Sequence, residues 1–188
     1  MQKNKLVIWL QSHRIMLISI TLCLLIAISV AIILSKKDTS TSLAAKELET
    51  LSQNIRKHYQ NRPDFWGLSS DVVINKKIAP TTMISNNELV GILGNKILIG
   101  NGINAYVLMP GARGFDIVYK NLNKKDCINL ASFNFEKQFW LELTSVNIAQ
   151  KNKSIVFSWD DNQRKLPITK AAAKKACANA ASIIWHFE

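Results

Sequence analysis

Residues 15–34 read IMLISITLCLLIAISVAIIL, from Ile15 through Leu25 to Leu34, with no charge, no Pro and no Gly. As a helix, twenty such residues span about 30 Å, the thickness of the hydrocarbon core of a bilayer. A helix of a globular protein carries a polar side, and this stretch has none. It therefore reads as a transmembrane helix, with Ile15, Leu25 and Leu34 marking its start, middle and end. A signal-peptide core is shorter, about 7–15 residues. The exit Ser35-Lys36-Lys37-Asp38 offers no A-x-A cleavage site, so the stretch is expected to stay as an uncleaved anchor. Lys3, Lys5 and Arg14 precede it and Lys36 and Lys37 follow it, which gives a lean towards an inside N-terminus. Residues 1–14 then form a basic cytoplasmic leader, with Trp9 placed to sit among the lipid headgroups.

Working outward, the chain has 188 residues, room for one ordinary domain beside the anchor. The formal net charge is +11, and residues 1–34 hold three basic residues and no acid, which leaves 21 basic against 13 acidic side chains downstream, a net +8. A basic surface meets nucleic acid, anionic lipid or acidic partners. No aromatic-and-basic array and no zinc spacing is present, so the charge reads as a solvated face and no nucleic acid is expected. Cys23 lies within the apolar stretch. Cys127 and Cys177 lie fifty positions apart downstream, with no C-x-x-C. If that part faces an oxidising compartment, they are the natural disulfide. Closing such a loop would stabilise by roughly 3–4 kcal/mol on the chain-entropy model.

Between Leu43 and Tyr59 a helical period returns, with Ala44, Leu48, Leu51, Ile55 and then His58 or Tyr59 at steps of four and three. Residues 35–60 are thus an amphipathic helix whose packing side is Leu48, Leu51 and Ile55. No Pro or Gly interrupts the chain from Ile15 to Gln60, so this helix can continue the anchor as one rod; Lys36 to Ser42 could instead be a loose joint. Pro63 and Gly67 end the helical region. Residues 60–86 read as a connection that Phe65 and Trp66 pin to the core. Strands are expected at Leu89–Leu93, Lys96–Ile99, Asn104–Met109, Phe115–Lys120, Phe135–Thr144 and Ser154–Trp159. A short helix is expected over Lys124–Leu130, a longer one over residues 169–181 (TKAAAKKACANAA), and a final strand over Ile183–Phe187. Residues 61–188 form the globular head.

Catalytic constellations are missing. There is no G-x-S-x-G, no H-E-x-x-H, no phosphate loop and no paired acidic motif. Of the three histidines, His13 precedes the anchor, while His186 alternates with Trp185 and Phe187 and reads as a surface or satisfied histidine. We expect no catalytic residue, no metal, no cofactor and no enzyme activity, but a structural or binding protein.

The order of elements resembles a type IV pilin, and three segments sharpen the likeness to type IVb pilins of the PilS kind. ELETLSQNIRKHY (residues 47–59) resembles the second half of that family's long helix. GFDIVYKNLNKKDCINLA (residues 114–131) resembles its strand, loop and first disulfide cysteine. Residues 168–187 resemble its Ala-rich segment with the second cysteine, followed by an aromatic strand. The resemblance implies an α+β fold in which a long N-terminal helix, membrane-spanning in its first half, packs on an antiparallel β-sheet, with Cys127 bonded to Cys177. It implies a structural subunit of a pilus, acting in adhesion, aggregation or conjugative contact. Such a subunit contacts other copies or other pilins through the N-terminal helix, and depends on assembly machinery in the inner membrane. It resides as a single-pass protein of the bacterial inner membrane with a periplasmic C-terminal domain, or on a cell-surface pilus. Pilins are cleaved after a Gly at the edge of the apolar stretch and carry a Glu shortly inside it. Here the first Gly is Gly67 and no acid precedes Asp38. That departure keeps a second reading open: a permanently anchored periplasmic component of a secretion or conjugation apparatus, with a pilin-like head that does not polymerise.

Overall fold

The computed structural model of the chain describes residues 39–101 and 114–188. The basic leader, the apolar stretch with Ile15, Leu25 and Leu34, and the strand expected over residues 104–109 lie outside the described residues. Among the described residues no helix is long and apolar enough to cross a membrane. One compact unit runs from Ser40 to Glu188, so the amphipathic helix belongs to the same unit as the head.

Helix α1 covers residues 39–59 and is followed by a short helix α2 (Ser70–Asn75) and a single 3-10 turn (Thr81–Met83). Then come β1 (Ile84–Ser85), β2 (Glu88–Val90), β3 (Lys96–Gly100), β4 (Phe115–Leu122), α3 (Lys124–Ala131), α4 (Lys137–Glu142), β5 (Leu143–Gln150), β6 (Lys153–Ser158), α5 (Lys170–Ala176) and β7 (Ala181–Phe187). The strands form one antiparallel sheet in the order β1-β2-β3-β4-β7-β5-β6. The last strand therefore lies inside the sheet, between β4 and β5.

Register explains the core. Successive strand residues face opposite sides, and directly paired residues share a side. Ile97, Tyr119, Ile183 and Ile148 line up across four strands, and the next row is Ile99, Ile117, Trp185 and Val146. All eight are buried in one cluster with Leu48, Leu51 and Ile55 of α1. At one end Phe115 pairs with Phe187 across the strands and stacks on it with ring centroids 5.0 Å apart. Phe65 reaches the same group, 4.7 Å from Phe115 and 5.4 Å from Tyr59.

Several expectations are corrected. Phe135–Thr144 is not a strand: Lys137–Glu142 is helical, and the strand follows it as β5. The one helical turn lets neighbouring Phe139 and Trp140 both reach the core, which an alternating strand would forbid. Residues 60–86 are not a bare connection. Ser69 caps α2, its hydroxyl accepting from the Val72 N–H. Trp66 is 75% exposed and pins nothing, while its neighbour Phe65 packs inward. The Ala-rich helix stops at Ala176, earlier than expected, because Cys177 takes an extended backbone and Ala180 turns the chain at φ 57° into β7. The strand expected at Leu89–Leu93 ends at Val90, where the chain enters a turn. Residues 39–42 are helical, so the loose-joint alternative fails over that part.

Candidate functional site: the seat of the helix on the head

The apolar side of α1 is Ala44, Ala45, Leu48, Leu51, Ile55 and Tyr59. The first five are completely buried and Tyr59 nearly so. These residues lie three and four apart, so they fall on one stripe. Burying a Leu or Ile side chain stabilises by about 1.5–3 kcal/mol each, which makes this stripe the main hold of the head on the helix.

Polar side chains flanking the stripe then fix the helix in place, each bonded to a different part of the head. Glu47 Oε2 accepts from the Ile92 N–H at 3.0 Å, in the turn between β2 and β3. One Glu49 oxygen accepts from the Glu136 N–H at 3.0 Å, at the start of α4. Asn54 Nδ2 donates to the Ile78 carbonyl at 2.9 Å, just beyond α2. Arg56 donates to the carbonyls of Glu142 (3.0 Å) and Glu188 (2.6 Å). Its Nε also lies 3.0 Å from the Glu142 carboxylate, an ion pair by distance in which the N–H is not aimed along a hydrogen bond. Arg56 thus joins α1 to the α4–β5 junction and to the end of β7.

The electrostatics follow from partial burial. Desolvation pushes the Glu47 carboxyl above its ordinary range, against the lowering effect of the Ile92 N–H. Desolvation lowers Arg56, and Glu142 opposes this. Tyr119, fully buried beneath the helix, is raised by burial first and by Glu47 second. It stays neutral, with its hydroxyl 3.5 Å from the Ala44 carbonyl.

Opposite α1, one polar pair is built into the sheet. Asp116 on β4 and His186 on β7 are register partners. Asp116 is completely buried, and its Oδ1 lies 2.7 Å from His186 Nδ1. The two side chains share one hydrogen bond across the strands. The hydrogen bond to Asp116 raises the His186 pKa, burial opposes it, and the charges of Asp116 and Glu188 add to the rise. His186 is therefore a satisfied histidine bonded to a buried acid.

Cys127 on α3 and Cys177 at the end of α5 are joined, S–S 1.97 Å and Cα–Cα 5.8 Å, closing fifty positions of chain. The bond fixes α3 to α5. Nearby, the Asn179 side chain accepts from the Lys124 N–H at 3.1 Å, and Gln150 on β5 bonds the Ala176 carbonyl. Among the described residues no group of His, Cys, Asp or Glu is placed to hold a metal ion.

The structure thus brings Leu48, Leu51 and Ile55 together as one buried stripe and places Cys127 beside Cys177. Sequence reasoning did not single out Glu47, Glu49, Asn54, Arg56 or Asp116. Four of these lie inside the segment ELETLSQNIRKHY, whose polar letters sit beside the apolar stripe. Their partners are fixed only by the fold.

Comparison with known proteins agrees with this architecture. The family model described as Bundlin matches residues 35–184. No curated protein matches the sequence. Among solved structures, the chain is similar to the type IVb pilin of Salmonella typhi, with a TM-score of 0.50 and 13% identity over 78% of this chain and 96% of that one. It is also similar to TcpA, a type IV pilin of the Vibrio cholerae El Tor biotype, with a TM-score of 0.53 and 11% identity over 80% of this chain and 99% of that one. At these identities the structures show a shared fold, an α+β head on a helix. The match to the family model covers most of the sequence and coincides with the described head, and the chain belongs to the Bundlin family.

Proposed function

We propose that the chain is a structural, non-enzymatic subunit of a type IVb pilus of the PilS kind. In this reading residues 15–34 anchor the chain as a single pass in the bacterial inner membrane, with the head on the periplasmic side. On assembly that stretch exchanges lipid for the same stretch of neighbouring subunits, a transfer suited to a helix apolar on every side. The observation that carries the reading is the seat of α1. Its apolar side is fully occupied by the head, and four polar side chains hold it there, so the head is a rigid extension of the helix. A subunit that passes force or position along a filament needs that rigidity. Adhesion, aggregation or conjugative contact would then be roles of the assembled filament, built with machinery of the inner membrane.

A second reading keeps the chain permanently anchored as a component of a secretion or conjugation apparatus. It is favoured by the absence of a Gly before Ile15 and of an acid within the apolar stretch. Mass spectrometry of the chain taken from native membranes separates the two. A new terminus near residue 15, with cross-links between copies, supports the pilus subunit. An intact Met1 in chains that never cross-link to one another refutes it in favour of permanent anchoring.

A further inference from the structure

Where α1 ends against the end of α2, the surface opens into a cleft of about 390 Å³ lined by Asn54, Lys57, His58, Gln60, Lys76, Lys77 and Ile78. No acidic residue lines it. None of its three lysines makes an ion pair among the described residues. Two separate elements supply the cations, so their convergence is a product of the fold. The chain between them is fixed: Asn54 Nδ2 holds the Ile78 carbonyl, and Lys76 and Lys77 donate backbone N–H bonds to Val72 and Ile74. Lys77 sits at φ 56°, a left-handed conformation that a lysine adopts only at a cost. Uncompensated like charges gathered in one concavity contribute nothing to folding, since they repel one another.

We propose that this cleft is a binding site for a linear anionic polysaccharide carrying sulfate or carboxylate groups. Lysine ammonium groups are point charges suited to such groups. The amides of Asn54 and Gln60 offer hydrogen-bonding atoms for sugar hydroxyls. A nucleic acid fits less well, because the lining offers bases a single ring to stack on, His58, and no Phe, Tyr or Trp. A second copy of this chain fits poorly, because the downstream region is itself net positive.

The test uses the full chain in a nonionic detergent and fluorescent heparin as the probe, read by anisotropy. One variant carries Lys57→Glu, Lys76→Glu and Lys77→Glu. A control carries the same charge change on the exposed lysines of α5, Lys170→Glu, Lys174→Glu and Lys175→Glu. The cleft variant is expected to raise the half-saturation concentration by more than about tenfold and the control by less than about threefold. The wild-type dependence on salt should also flatten in the cleft variant, as charge contacts are removed. Equal losses in the two variants would mean a diffuse basic surface and overturn the proposal, as would no heparin binding by the wild type. A labelled DNA duplex bound more tightly than heparin, and lost in the cleft variant alone, would assign the cleft to nucleic acid and also overturn it. The full chains are compared by circular dichroism, and Lys57→Gln/Lys76→Gln/Lys77→Gln provides a milder variant should the charge reversal disturb folding. None of these readouts depends on filament assembly.

Discussion

Replacing Leu51 by Ala tests the seat of the helix most directly. Leu51 is completely buried in the middle of the apolar stripe, between Leu48 and Ile55. The change removes three carbons, which at about 0.8 kcal/mol each costs roughly 2.4 kcal/mol in lost burial. The cavity left behind adds to this, and fully buried Leu→Ala changes fall at about 2.7–5 kcal/mol. Against a total stability of about 5–15 kcal/mol this is a large fraction. With a urea dependence of about 2 kcal/mol per molar, the unfolding midpoint should fall by about 1.4–2.5 M. The assay is urea titration of the full chain in nonionic detergent, followed by tryptophan fluorescence. Trp185 reports on the core, since it is almost fully buried and meets the Tyr119 ring edge-on at 5.1 Å. Leu141→Ala is the matched control: the side chain is 70% exposed on α4, and its loss should shift stability by less than about 0.5 kcal/mol. A fall of under about 0.5 M for Leu51→Ala would refute the reasoning, because it would mean that the helix rests on the head without being part of its core.

Removing the bond between α3 and α5 by Cys127→Ala with Cys177→Ala frees fifty positions of loop and should cost about 4 kcal/mol on the chain-entropy model. The same titration checks it, and a cost below about 1 kcal/mol would contradict it. His186 makes stability depend on pH in a defined direction. Its folded pKa is raised, so its contribution is fully present below the unfolded value near 6.5 and is lost as pH rises through the folded value. As pH rises from below the unfolded value through the raised folded value, the wild type should therefore lose stability relative to His186→Gln, and parallel pH profiles for the two proteins would rule the pair out as the cause.

Legibility in the sequence followed the physical range of the interactions. The period of Ala44, Leu48, Leu51 and Ile55 is a local pattern that a single buried side imposes on a helix, and α1 buries those residues. Phe115, Ile117 and Tyr119 alternate with Asp116, Val118 and Lys120, and β4 lies there. The misreadings fall where local and tertiary preferences conflict. Phe135 to Thr144 is aromatic enough to suggest a strand, yet packing turns Lys137–Glu142 into a helix. β5 was hidden because its outward positions, Ser145 and Asn147, resemble a loop; Asn147 is buried all the same, with its side chain accepting from the Ser154 hydroxyl at 2.6 Å on β6. The polar holds of the helix were invisible for a related reason. Glu49 finds a backbone N–H 87 positions away, and Arg56 finds carbonyls 86 and 132 positions away. No local pattern encodes a partner so distant.

The place of β7 inside the sheet bears on how the molecule is made. The ribosome delivers α1 early and β7 at the very end of the head, yet β7 fills the gap between β4 and β5. Until residues 181–187 have emerged, β4 has no neighbour on one edge, β5 pairs only with β6, and Arg56 lacks its carbonyl at Glu188. The sheet of the head consequently closes only once the final strand, β7, is available. An unfinished or truncated chain would display two open strand edges, which recruit other strands. Holding such a chain apart from its fellows until the last strand docks is a requirement written into the topology itself.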